Sequence, residues 1–149
     1  MCIRDRRIGH PLEGNLVGPL IDKHSFDNMQ DALEQALSEG GRVFGGKRQL
    51  EDQFPNAYYV SPAIVEMPEQ SDVVRHETFA PILYVVGYKD FAEALYLNNS
   101  VPQGLSSCIF TTDVREACAD HTDIDRDFAG ERSVFRPLRR QFFPQTFFA

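Results

Sequence analysis

The chain reads as an α/β domain with mostly parallel strands and flanking helices, followed by an irregular tail. Three observations predict this class. Asp22 to Glu39 carries apolar residues at helical spacing and stops at Gly40-Gly41. Ile82 to Tyr88 is a continuous apolar run of the kind buried on both faces in α/β sheets. From there the pattern alternates strand, helix, strand, helix, as parallel strands joined by crossovers require.

Taken in order, Gly14 to Ile21 is a loop with a short apolar anchor. The first helix follows, with Phe26, Met29, Leu33, Ala36 and Leu37 on its apolar face. Arg42-Val43-Phe44 is a short strand ended by Gly45-Gly46, and Lys47 to Asn56 is polar and loop-like. Ala57 to Val65 is rich in aromatic and β-branched residues and reads as strand. Pro62 inside it marks an edge or a break. After the apolar strand, Asp90 to Asn98 is amphipathic, with Phe91, Ala94, Leu95 and Leu97 apolar. Gln103-Gly104 turns into a strand over Leu105 to Thr111. Thr112 or Asp113 then caps a helix reaching about His121. Beyond Asp123 the periodicity fails.

Composition narrows the function classes. The 149 residues are one domain's worth, and 42% apolar with 25% charged residues is ordinary for a globular chain. A net charge of −7 argues against non-specific nucleic-acid binding. The five Arg and three acids between residues 124 and 149 leave the remainder near −9. Cys2, Cys108 and Cys118 have neither disulfide nor zinc spacing, which fits a reduced, cytoplasmic setting. No apolar run approaches a membrane span, and no apolar segment follows the basic Met1 to Arg7 to make a secretory signal.

The segment richest in chemistry is Arg75-His-Glu-Thr-Phe-Ala-Pro-Ile-Leu-Tyr-Val-Val86. In extended backbone, residues two apart share a side, so Glu77 and Phe79 are expected to face one neighbour together. Pro81 cannot donate to a ladder and pushes Ala80 toward extended geometry, so the segment is a loop feeding a strand. A carboxylate beside a phenyl face suits a nucleoside: the ribose diol donates to one, and the base lies on the other. Taken alone, Glu-x-Phe more often means a solvated acid and a core ring.

Five segments in register alter that balance: Gly18-Pro-Leu-Ile21, Glu39-Gly-Gly-Arg-Val-Phe-Gly-Gly46, Tyr59-Val-Ser-Pro-Ala-Ile64, Glu77-Thr-Phe-Ala-Pro81 and Gln103-Gly-Leu-Ser-Ser-Cys-Ile-Phe-Thr111. With these, residues 7 to about 117 resemble the C-terminal part of the catalytic domain of NAD(P)-dependent aldehyde dehydrogenases. Most of that family has Gly where this chain has Ala80. His76 to Val85 with Gln103-Gly-Leu-Ser-Ser resembles the antiquitin branch, the α-aminoadipic semialdehyde dehydrogenases. The resemblance implies that Glu77 hydrogen-bonds the nicotinamide ribose and that Phe79 packs near the nicotinamide ring, with NAD as cofactor and an aldehyde as substrate. It also implies a homo-oligomer when intact, with neither nucleic acid nor membrane as partner.

The family's catalytic Cys, its base and its pyrophosphate-binding segment correspond to sequence upstream of the match. The expectation is therefore a partial catalytic domain over 7–122, between an unmatched 1–6 and an aberrant or disordered 123–149, without turnover by itself. Cys2 lacks the nucleophile's context, Cys108 and Cys118 read as packing, and no catalytic or metal residue is assigned. Cys118 and His121 share a helical face but two ligands are not a site.

Two decoys fall. Gly41 to Gly46-Lys47 has phosphate-loop spacing, but Arg48 replaces the needed Ser or Thr and a helix precedes it. The Arg/Phe-rich tail has single-strand-binding composition on an otherwise acidic chain. The rival class is a non-catalytic α/β interaction module whose sheet edges pair with another chain.

Overall fold

The computed structural model describes residues 6–102 and 110–115, which fall into two compact units divided between Val85 and Val86. The first begins with a 3-10 turn at Pro11–Glu13 and two single bridges, Ile8 to Val17 (parallel) and Leu20 to Tyr58 (antiparallel). Helix α1 spans Lys23–Ser38. Asp22, in extended backbone, accepts the Ser25 N–H at 2.7 Å and so satisfies a donor that the helix start leaves orphaned. At the other end Gly40 takes φ 87°. There Gly41 N–H reaches the Ala36 carbonyl at 2.8 Å and Gly40 N–H the Leu37 carbonyl at 3.1 Å. This is a Schellman stop, which needs a residue tolerant of left-handed backbone.

α1 buries Met29, Ala32, Leu33 and Ala36, a stripe at i, i+3, i+4, i+7. Leu37, expected on that face, is 55% exposed, because Ala32 rather than Leu37 completes the stripe.

Strand β1 (Arg42–Phe44) pairs antiparallel with β4 (Ala63–Met67), Val43 opposite Val65. β5 (Ile82–Val86) joins to give the sheet order β1-β4-β5. The segment expected as loop, 47–56, begins with a two-residue strand, β2 (Arg48–Gln49), antiparallel to β3 (Tyr59–Val60). Arg48 explains that correction. Its guanidinium lies 4.8 Å from the Tyr58 ring centroid, pairs with Glu51 at 2.8 Å and donates to the Pro55 carbonyl at 2.7 Å. A side chain held this way fixes the backbone beneath it. The break expected at Pro62 falls between β3 and β4.

One further expectation changes: β5 buries Ile82 and Tyr84, whereas Val85 on the alternate face is 38% exposed, so the apolar run is not sealed on both sides. The pairs β1–β4 and β2–β3 are antiparallel and the Ile8–Val17 bridge is parallel, giving a mixed α/β arrangement; the strand expected at 105–111 has only its last two residues among those described. A four-residue helix, α2 (Asp72–Arg75), was not legible in sequence, being too short to carry a period.

In the second unit α3 (Phe91–Asn99) follows β5. Asp90 accepts the Glu93 N–H at 2.9 Å, and Glu93 reaches back to the Lys89 N–H at 2.6 Å, a reciprocal start of capping-box type. Asp113 accepts the Arg115 N–H at 2.8 Å, as a cap there would. The helix expected to His121 and the tail 123–149 lie outside the described residues, as do Cys2, Cys108 and Cys118. Among the described residues no helix is long and apolar enough to cross a membrane.

Candidate functional site

The Glu77–Pro81 loop links α2 to β5, tied at both ends. His76 N–H donates to Asp72 O at 3.0 Å, closing α2, and Ala63 N–H on β4 donates to Pro81 O at 2.8 Å. A tight Ile82 N–H to Ala80 O contact of 2.7 Å turns the chain into β5. Between these ties the amides of Glu77, Thr78 and Phe79 make no backbone hydrogen bond among the described residues.

Phe79 has φ 51°, a left-handed conformation that a bulky side chain rarely adopts. This corrects the expectation of extended backbone: with one residue in that region, side chains two apart no longer share a side by simple alternation. Glu77 instead lines a groove of about 500 Å³ against α1, opposite Asn28, Asp31 and Gln35 and beside Asp72 and His76. Phe79 does not line that groove and is 73% exposed. Both groups are open to approach.

The Glu77 carboxylate has no hydrogen bond or ion pair among the described residues, so it remains free to accept from a diol. The exposed phenyl face is likewise uncovered. These two features fit the nucleoside half of a dinucleotide. The groove's other acids, Asp31 and Asp72, do not fit a pyrophosphate, whose charge they would repel. The phosphates of such a ligand must lie elsewhere.

Beneath the loop, Thr78 Oγ1 and the Tyr84 hydroxyl are both sealed from solvent. Burial pushes the Tyr84 phenol up from its usual range; the Thr78 hydroxyl opposes that shift and the Glu39 carboxylate adds to it. Glu39 itself is held below the usual carboxylate range by the Ser71 hydroxyl and then by Gln35, whose Nε2 donates at 2.8 Å. Sequence reasoning did not single out Thr78, Tyr84 or the α1 wall, because no spacing rule links a helix face to a loop forty residues away.

The Aldehyde dehydrogenase family model matches residues 3–125. The chain belongs to the aldehyde dehydrogenase family. Among curated relatives, "Aldehyde dehydrogenase family 7 member A1" of Pisum sativum is 47% identical over 106 residues, covering 70% of this chain and 20% of the relative. The "Alpha-aminoadipic semialdehyde dehydrogenase" of Bos taurus is 45% identical over 111 residues, covering 72% of this chain and 20% of the relative. The chain thus spans about a fifth of the length of these aldehyde dehydrogenases. Of solved structures, 3,6-anhydro-L-galactose dehydrogenase in complex with NAP superposes with a TM-score of 0.79 at 25% identity, over 93% of this chain and 29% of that one.

Proposed function

We propose that this segment forms the nucleoside-facing wall of an aldehyde dehydrogenase that oxidises α-aminoadipic semialdehyde to its carboxylate with NAD. The observation that carries the reading is the unengaged Glu77 carboxylate beside an exposed Phe79, on a loop held at both ends. The name of the Bos taurus relative, an alpha-aminoadipic semialdehyde dehydrogenase, supports the substrate. Solved members of this fold have been determined with NAD+ and with NAP, which supports a nicotinamide dinucleotide and leaves the choice of NAD as our inference.

In this reading Glu77 accepts hydrogen bonds from the nicotinamide ribose diol and fixes the rotation of the ribose. A charged acceptor makes such bonds stronger than a neutral one would. Phe79 covers one face of the nicotinamide ring and excludes water from it. The bound dinucleotide accepts the hydride that leaves the substrate. Orientation is what these two residues contribute, and misplacement of a reacting ring by an ångström costs on the order of a hundredfold in rate.

The test uses the complete protein that carries this segment. With α-aminoadipic semialdehyde and NAD, steady appearance of reduced nicotinamide is expected, and Glu77→Gln should slow it by roughly ten- to a hundredfold. Unchanged turnover in Glu77→Gln, or no oxidation of any aldehyde, refutes the proposal. The 149-residue chain alone, assayed in the same way, is expected to give no reduced nicotinamide. The interaction-module reading would use the outer edge of β1, which at three residues offers a partner strand few ladder bonds.

A further inference from the structure

We propose that Glu39 is a positioning residue: with Ser71 it ties the stop of α1 to the start of α2, and through α2 it sets where Glu77 meets the cofactor. Its role in cofactor binding rests on the dinucleotide reading above.

Ser71 stands at the N-cap of α2 in extended backbone, φ −89° and ψ −179°, yet its side chain makes no capping hydrogen bond. A serine there ordinarily accepts from an amide of the first turn. Here the hydroxyl donates to Glu39 Oε2 instead. Glu39 Oε1 accepts from Gln35 Nε2 at 2.8 Å, so the carboxylate is held through both oxygens. Its backbone is fixed as well. Glu39 is the C-cap of α1, its N–H donates to the Gln35 carbonyl at 3.0 Å, and the Schellman turn follows at once. The acceptor offered to Ser71 therefore belongs to the helix that buries the Met29 stripe.

α2 needs such an anchor. Four residues are too few to hold a helix alone, because fixing the first turn costs more conformational entropy than its few hydrogen bonds offset. α2 buries one side chain, Val73, which lines the groove with Ala32 of α1. One contact leaves a short helix free to pivot; the Ser71–Glu39 bond is the second, and its charged acceptor makes it a strong one. At the far end His76 N–H closes α2 on the Asp72 carbonyl, and Glu77 is the next residue. The amides of Glu77, Thr78 and Phe79 make no backbone hydrogen bond among the described residues, so Glu77 inherits its upstream position from α2.

The bland alternative is that Ser71 serves as an ordinary cap and its contact with Glu39 is incidental. One substitution separates the two by sign. Aspartate caps as well as serine does, so Ser71→Asp would leave an ordinary cap intact. Against Glu39 it removes the donor and sets two carboxylates together, which breaks a tie more thoroughly than alanine does.

The experiment compares Ser71→Ala, Ser71→Thr, Ser71→Asp, Glu39→Ala and the Ser71→Ala/Glu39→Ala double variant in the complete protein. Amide hydrogen exchange over residues 72–77 is measured without cofactor, and the dissociation constant of the reduced cofactor by fluorescence titration, both well below the melting temperature. Ser71→Ala and Glu39→Ala should each speed exchange and raise the dissociation constant by roughly three- to tenfold. Ser71→Asp should go at least as far as Ser71→Ala, and Ser71→Thr, which keeps the hydroxyl, should stay near wild type. The double variant should go no further than the larger single, as coupled partners do. A wild-type Ser71→Asp, unchanged exchange in the singles, effects that add in the double, or faster exchange with an unchanged dissociation constant overturns the tie. Should Glu39→Ala be recovered insoluble, the three Ser71 variants, which leave α1 untouched, carry the test. Glu77→Gln separates this proposal from the one it rests on. If that variant binds cofactor normally, the dinucleotide site falls while the exchange result still judges the tie. If it binds weakly and the Ser71 and Glu39 variants behave as wild type, the tie alone falls.

Discussion

Helices α1 and α3 start alike and end differently. Each opens on an aspartate in extended backbone that accepts the N–H three residues on, Asp22 from Ser25 at 2.7 Å and Asp90 from Glu93 at 2.9 Å. Past the cap they diverge. α1 runs sixteen residues and buries four side chains in one stripe. α3 runs nine and buries Ala94, with Tyr96 68% exposed. A cap therefore decides where a helix begins, and a buried stripe decides how firmly it is held. Local hydrogen bonds contribute about 1 kcal/mol each, whereas a filled core position contributes several.

The sharpest way to break that contrast is to empty the α1 stripe. Met29 is fully buried, and Met29→Ala should destabilise the protein by about 2–5 kcal/mol in denaturant unfolding, against about 1 kcal/mol for half-buried Leu95→Ala on α3. Equal losses would mean that α3 is seated as firmly as α1. Next comes Gly46→Ala. Gly46 has φ 76°, an added Cβ would press on Leu33, and the Gly46 carbonyl accepts from Gln30 Nε2 at 3.1 Å. An expected loss of about 1–3 kcal/mol should come with faster amide exchange along α1, since the substitution strains the turn that α1 packs on.

Smaller effects follow from the caps. Asp22→Ala and Asp90→Ala should both lower the melting temperature and fray the first helical turn. Asn at the same position should restore most of the loss, because Asn also accepts from the N3 amide. The smallest effect is that of acid. The Ser25 backbone N–H holds the Asp22 carboxyl below its usual 3.8, and the Ser71 hydroxyl holds Glu39 below its usual 4.5. Both folded values are depressed, so each group's contribution is complete above the unfolded value and fades as pH falls through the folded one. Thermal melts should therefore lose stability below about pH 4.5, and Asp22→Asn should flatten the lower part of that decline. A curve unaltered by that substitution removes Asp22 from the account.

Much of the first unit was legible beforehand. The α1 boundaries, the glycine stop and the break at Pro62 came from residues whose backbone preferences are local and strong. The α1 face was nearly right, with Leu37 in place of Ala32, because periodicity gives a stripe but not which flank of it meets the sheet. Arg48-Gln49 looked like loop because its β pairing depends on Tyr58 and Pro55, which no local rule connects to Arg48. Glu77 and Phe79, read from their motif as cofactor contacts, both lie exposed on the loop. Their assumed common side failed at one torsion.

The amino-acid order by itself determined the α/β class, the helix ends and the family, since short-range torsional preference and in-register motifs are written in the chain. What only the tertiary structure decided is the aim of the loop. The turn at Phe79, the groove that α1 sets before Glu77 and the burial of the Tyr84 hydroxyl depend on contacts between segments distant along the chain. Such contacts are selected by packing as a whole, and no single stretch of sequence encodes them.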